Sequence, residues 1–252
     1  VISRSDLSLY LQSFLNCDRF SDYAPNGLQI EGKDQIKRIC TAVTASEDVI
    51  SEAITWQADA LLVHHGYFWR GEDPVITGMK RQRIAKLLDN NINLFAYHLP
   101  LDCHPNLGNN ACLAKLFAIE SVQMHKVGTN ESLLWSGNLS KPLSGNQLSV
   151  FLEKKLDRKP LYIAGHDRPI STIAWCSGGA QDYIVNAKQL GVDAYISGEV
   201  SERTYYQAKE LGIDYFACGH HATERLGIQA LGDYLESLYA VEHRFIDVSN
   251  PI

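Results

Sequence analysis

The two halves of this chain repeat one another, and that repeat limits the fold to a pair of similar units. IKRICTAVTASEDVISEAITWQADALLVHHG in the first half lies against ISTIAWCSGGAQDYIVNAKQLGVDAYISGEV in the second, with Asp59-Ala60 matching Asp193-Ala194. INLFAYHLPLD then matches IDYFACGHHATE, and LFAIE (116–120) matches LYAVE (238–242). Self-similarity of this extent sets the architecture before any single element does. The spacing differs mainly after His65, where FWRGEDPVITGM adds a segment with Gly and Pro that reads as a loop.

Within each half, short apolar runs alternate with segments of helical periodicity. Strands are expected near 36–44, 60–64, 92–97 and 120–126, and again near 171–176, 193–197, 213–218 and 243–248. Helices are expected near 46–57, 80–90 and 108–118, and near 180–190, 202–211 and 222–238. Continuous apolar strands point to sheets covered by helices on both faces, and the alternation points to parallel connections. The expected fold class is therefore α/β: two similar α/β domains from an internal duplication, each a mostly parallel sheet flanked by helices. Thr44-Ala-Ser-Glu47 reads as a capping box opening the first of these helices. The stretch 127–170 carries less pattern, with GTNES and SKPLSGN reading as turns and NQLSVFLEKKL as a helix. The boundary is placed there, giving domains 1–127 and 128–252. The first residues add a helix over about 5–15 and then the turn-rich DYAPNGLQIEG.

Composition excludes several function classes. The 252 residues are 45% apolar and 21% charged, as in an ordinary globular protein. A net charge of −6 gives no support to non-specific binding of nucleic acid, which relies on Lys and Arg neutralising phosphates. No apolar run approaches the roughly 20 residues of a bilayer span, and VISRSDLSLYLQSFL has no signal-like apolar core. Six cysteines without a CxxC pair read as reduced, mostly buried thiols of a cytoplasmic protein.

His64, His65, His98, Asp102, Glu199, His220, His221 and Glu224 all fall at the carboxyl ends of expected strands, where open α/β sheets bind ligands. Each has a plainer reading. His64-His65 alone would be one core and one surface residue, and His220 with Glu224 an ion pair on one helix face. Glu199 in SGE (197–199) equally suits a capping segment. Their coincidence of position outweighs these readings. Pro100 argues against a regular helix through both His98 and Asp102, which makes Asp102 a loop carboxylate. His221 points away from the His220–Glu224 face, His104 follows Asp102 in a turn, and His125, His166 and His243 read as surface or satisfied core residues. Imidazole combined with carboxylate suits Zn, Mn, Fe or Co. Five or more ligands exceed what one catalytic zinc needs, so two divalent metal ions are expected. There is no P-loop and no GxGxxG after a strand. CSGGA (176–180) reads as a plain strand-to-helix turn, with phosphate binding as its alternative.

NGLQIEG (26–32), ALLVHHGYFWRG (60–71), HLPLDCHPNLGNN (98–110), SGE (197–199) and GHHATER (219–225) together resemble the NIF-three-like family, also called GTP cyclohydrolase I type 2 homologues. Their order and spacing resemble its YbgI-like bacterial branch. The resemblance implies two similar α/β domains with a dinuclear metal site between them, assembled as a toroidal homohexamer. It implies His64, His65, Asp102, His220 and Glu224 as metal ligands; His98 is added from the internal repeat. The cyclohydrolase label implies attack of water on C8 of guanine in GTP, and a role in degrading damaged nucleotides is also associated with the branch. The expected function is a dinuclear-metal-dependent hydrolase acting on a nucleotide or related purine compound, with Glu199 or His98 assisting proton transfer. The alternatives are a non-catalytic, ring-forming adaptor or metal-handling protein, and a metal-dependent phosphoesterase. The expected partners are further copies of the chain and a small nucleotide-like substrate, with no membrane.

Overall fold

The alternation of apolar runs and periodic segments becomes an alternation of strands and helices in the computed structural model, which describes residues 1–252. After β1 (Ile2–Ser3), the Ser3 hydroxyl accepts the Asp6 N–H and opens α1 (Arg4–Phe14), which buries Leu7 and Leu11. Three strands follow: β2 (Gly27–Ile30), β3 (Gln35–Ile36) and β4 (Arg38–Thr44). Ser46, not Thr44, caps α2 (Glu47–Thr55), its hydroxyl accepting the Val49 N–H. The expected Thr44–Glu47 capping box does not form because Thr44 still belongs to β4, paired with His65. Next come β5 (Ala60–His65), α3 (Gly78–Asp89), β6 (Asn93–Ala96), α4 (Leu99–Cys103) and α5 (Asn109–Leu116). Pro100 lies in the first turn of α4, where its missing N–H costs nothing. Asp102 is therefore helical and not the loop carboxylate expected.

The stretch expected to be turn-rich holds the longest strand. β7 (Glu120–Val127) and β8 (Asn130–Leu143) form an antiparallel hairpin, and the SKPL letters lie inside β8. α6 (Gly145–Leu156) opens with a capping box between Ser144 and Gln147. β9 (Leu161–Ile163) and β10 (Ile170–Trp175) lead through a 3-10 turn at Gln181–Tyr183 to α7 (Ile184–Gln189). The chain continues as β11 (Ala194–Ser197), α8 (Glu202–Leu211), β12 (Asp214–Ala217), α9 (His220–Leu238) and β13 (Glu242–Phe245). No helix is long and apolar enough to cross a membrane.

Packing divides the chain into two units. The first comprises residues 1–101 and 227–249. Its sheet runs β13-β4-β5-β6-β2, with β2 alone antiparallel to its neighbour. Successive residues of β5 enter opposite layers, as the strand period of two requires. Ala60 and Leu62 join Leu7, Leu11, Phe95 and Leu231 on one face, while Leu61 and Val63 join Val49, Ile50 and Ile84 on the other. Each fully buried leucine of this kind contributes about 1.5–3 kcal/mol of apolar burial.

The second unit comprises residues 102–226 and 250–252. Its sheet runs β7-β8-β10-β11-β12-β9; β10, β11 and β12 are parallel, with antiparallel neighbours on either side. Both sheets thus contain three parallel strands in chain order, closed on one side by an antiparallel strand. The matched aspartates do matching work. Asp59 Oδ2 accepts the Lys37 and Arg38 N–H groups at 2.9 and 3.0 Å, and Asp193 Oδ2 accepts those of Ser171 and Thr172 at 3.0 Å each. The division expected near residue 127 does not coincide with this packing. β7 pairs with β8 in the second unit, while β13 returns to pair with β4 in the first. The final strands of the two sequence repeats have changed places.

Candidate metal centre

In the first unit, three imidazoles gather at the carboxyl ends of β5 and β6. Adjacent residues of an ideal strand point apart, but His65 ends β5, and its ring centroid lies 4.7 Å from that of His64. The His98 ring lies 5.1 Å from His64 and 5.9 Å from His65. One ring nitrogen from each of the three comes within 4.8 Å of the others. His64 is buried, and its Nδ1 lies 2.9 Å from the Tyr97 carbonyl. A carbonyl only accepts, so Nδ1 carries the proton and Nε2 the lone pair of the neutral ring. His98 Nδ1 donates to Asp22 Oδ1 at 2.7 Å, with the same consequence for its Nε2. Asp22 is fixed in turn: Oδ2 accepts the Leu99 N–H and the Asn26 amide. Burial works to raise the Asp22 pKa, but the His98 and Asn26 bonds outweigh it and hold the carboxyl below its usual range. His65 Nδ1 meets Thr44 Oγ1 at 3.2 Å, and Trp69 stands edge-on to His98 with centroids 5.0 Å apart.

In the second unit the ligand types are mostly carboxylates. Asp102 is buried on α4, and its Oδ1 accepts both Asn109 Nδ2 and Ser177 Oγ at 2.8 Å. Glu224 is buried one turn into α9. A carboxylate oxygen of Asp102 lies within 4.8 Å of one of Glu224. His220 begins α9 with Nδ1 2.6 Å from Glu199 Oε1 and Nε2 3.1 Å from Glu224 Oε2, the contact of residues four apart on a helix. Burial alone would lower the His220 pKa; Glu224 and then Glu199 override it and push it up to about 9. Two buried carboxylates this close call for positive charge between them. A divalent cation fits this donor set, and so does a protonated imidazole.

The CSGGA turn makes room for these groups. Gly178 has φ +70°, and a Cβ there would stand 2.1 Å from Glu224 Oε1. The Ser177 N–H donates to Asn110 Oδ1, that of Gly178 to Thr223 Oγ1, and that of Ala180 to Ser197 Oγ. With these N–H groups engaged inside the fold, the plain-turn reading describes the segment. Among the remaining histidines, His125 meets Ser136, His166 donates to the Asp193 carbonyl, and His243 bonds Thr41 and Asp233. His104 is buried with Nδ1 accepting the Leu107 N–H, and burial lowers its pKa. The His221 N–H donates to the Ile252 carbonyl. All six cysteines are free thiols, and burial raises those of Cys17, Cys40 and Cys218 to about 12. Sequence reasoning met Ser177 and Gly178 only within the CSGGA turn and Asp22 only within DYAPNGLQIEG, and gave neither these residues nor Asn109 a role beside the ligand-type side chains. The only signal for the asparagine was its place in the quoted HLPLDCHPNLGNN run.

The Duf34/NIF3 (NGG1p interacting factor 3) family model matches residues 2–251. A Salmonella typhimurium protein named GTP cyclohydrolase 1 type 2 homolog is 50% identical over 252 residues, spanning 99% of this chain and 100% of that protein. Among solved structures, one described as protein ybgI, of unknown function, shares 47% identity at a TM-score of 0.95, with 100% of both chains covered. A Thermus thermophilus protein shares 28% identity at a TM-score of 0.90, again over 100% of both.

Proposed function

Since the chain belongs to the Duf34/NIF3 family, we propose that it is a dinuclear-metal-dependent hydrolase acting on a nucleotide or related purine compound. We assign His64, His65, Asp102, His220 and Glu224 as the ligands of two ions drawn from Zn, Mn, Fe or Co. The observation that carries this reading is the state of the His64 ring. Its Nδ1 proton is committed to a backbone carbonyl, which leaves the lone pair of the neutral ring on Nε2, beside the other two imidazoles of the cluster. Metal-binding histidines characteristically use such a partner to fix tautomer and orientation.

These donors would hold divalent ions, which when bound would supply a hydrolytic nucleophile from water near neutral pH and would polarise the group under attack. The chain's own residues set the geometry. Asn109 and Ser177 fix Asp102 through Oδ1. Glu199 accepts from His220 Nδ1 and so presents Nε2. Asp22 holds His98 in the tautomer whose Nε2 accepts a proton, and we assign His98 the transfer of protons beside the ligands. Glu199 then acts by orienting His220 and not by exchanging protons with substrate. The relatives' cyclohydrolase name suggests opening of a purine imidazole ring followed by release of formate.

The test is to load the protein with each ion in turn and incubate it with GTP and with a panel of damaged purine nucleotides. Formate release that fails in His65→Ala and Glu224→Ala is the expected result. No turnover by any metal form, beside an active control enzyme, sinks the reading. Inorganic phosphate in place of formate would move the same centre to phosphoester hydrolysis, and bound metal without turnover would favour the adaptor role. The six-membered ring implied by the family resemblance is proposed with this function, and sedimentation of the purified protein checks it.

A further inference from the structure

Beside Glu199 the second unit has a cavity of about 360 Å³ whose walls include Arg158, Lys159, Gly198, Glu199, Ala217 and Ile252. Gly198 follows β11 and Ala217 ends β12, so the cavity opens at the carboxyl ends of parallel strands, where α/β sheets receive ligands. Its charge is unusual for this chain. The net charge is −6 overall, yet two of the eight wall residues have cationic side chains and one has an acidic side chain. That acid, Glu199, is already bonded to His220 at 2.6 Å. Arg158 gives an N–H to the neutral Pro251 carbonyl at 2.7 Å and is matched by no carboxylate.

The backbone is shaped to bring Arg158 here. Its side chain lies across Gly219, where a Cβ would stand 2.6 Å from Cδ, 2.7 Å from Nε and 2.9 Å from Cζ. Gly219 also has φ +100°, a conformation L side chains rarely adopt. The guanidinium therefore passes directly over the residue that precedes α9. At that same helix start the His221 N–H donates to the Ile252 carbonyl. Backbone oxygens of Pro251 and Ile252 thus sit on a guanidinium and on a helix-start N–H. These are donor types that ordinarily hold the oxygens of a phosphate.

We propose that this cavity binds the phosphate end of the substrate, with Arg158 and Lys159 as its phosphate-holding residues. The proposal rests on the hydrolase reading above and specifies its substrate class: a phosphorylated compound, held by its phosphates beside Glu199, the residue that orients His220. An incoming phosphate takes the place of the Pro251 oxygen on Arg158 and of the Ile252 oxygen on the His221 N–H. Lys159 adds a second charge without a fixed hydrogen-bond geometry.

Calorimetric titration of the metal-loaded full chain with inorganic triphosphate, GTP and guanosine tests this. Arg158→Ala and Lys159→Glu should each weaken triphosphate and GTP about tenfold or more, leaving guanosine binding and metal content unchanged. Arg158 also supports the tail, so Lys159→Glu, on an exposed side chain, is the variant that survives a folding defect in the other. The proposal is overturned if the wild-type protein does not bind triphosphate, if Lys159→Glu binds it as the wild type does, or if guanosine weakens in parallel. Tight, Lys159-dependent triphosphate binding without turnover of any nucleotide would remove the hydrolase reading and keep the phosphate site.

Discussion

A methyl group at position 178 would overlap Glu224 Oε1, since the Cβ would lie 2.1 Å from it and 3.1 Å from His220 Nε2. Gly178→Ala therefore forces either the turn or the Glu224 carboxylate to move, and the φ of +70° adds about 1–2 kcal/mol of backbone strain. The expected outcome is a lower Tm together with reduced metal content by elemental analysis; wild-type metal content would show that the carboxylate is not a ligand. Asp22→Asn tests the support beneath His98. An amide that keeps its oxygen on the Leu99 N–H and the Asn26 amide turns its NH2 toward His98 Nδ1 and the Tyr23 N–H, both of which donate to the carboxylate. A loss of about 1–3 kcal/mol in urea unfolding is expected. His64, His65, His220 and Glu224 were legible in the sequence because ligand-type residues at strand ends stand out without any partner in view. Asp22 and Ser177 were not. Their roles come from His98 and Asp102, 76 and 75 residues away, and their residue types are common in turns.

The matched aspartates carry the clearest pH dependence at the level of elements. For Asp59, burial works to raise the pKa, but Lys33 and the Arg38 and Lys37 N–H groups overcome it. For Asp193, burial is likewise overcome by Ser171 and Thr172. Both carboxyls are therefore more acidic when folded than in the unfolded chain, where aspartate titrates near about 3.9. Their contribution is complete above that value and is lost as pH falls through the lowered folded range. Urea midpoints measured from pH 7 down to 3 should fall on acidification, and Asp59→Asn or Asp193→Asn should lower the pH 7 midpoint while flattening the acid limb. A variant as steep as the wild type would show that the carboxylate does not organise the start of β4 or β10. The parallel strands around these aspartates were legible because they are buried on both faces and read as unbroken apolar runs. β8 was missed because it is buried only over residues 133–137, so its flanks read as turns. β2 and β9 are short antiparallel edges with half-buried residues, and they carry too little pattern to register.

The exchange of final strands determines which pieces of the molecule can fold alone. Residues 1–127 would hold β7 without β8, and would lack the far part of α9 and β13. In the intact first unit, Ile228, Leu231 and Leu235 of α9 are fully buried in the same cluster as Leu7, Leu62 and Phe95, and β13 pairs with β4. Removing them exposes that apolar face and leaves β4 as an open edge, which invites association. Residues 128–252 would keep β8 but lose the hairpin partner β7, as well as Ala111, Leu113 and Phe117, which pack against Trp135, Leu148 and Trp175. Neither half made by cutting at 127 should therefore unfold cooperatively on heating, and the first should sediment as aggregates. A cooperative transition in isolated 1–127 would show that β13 and α9 contribute little to the first sheet. The repeat alone could not reveal this. Each half contains a complete set of strand patterns, and self-similarity records which segments are alike without recording which sheet each one joins. Pairing is decided by register and by the burial available along a sheet edge, and neither appears until both halves are present.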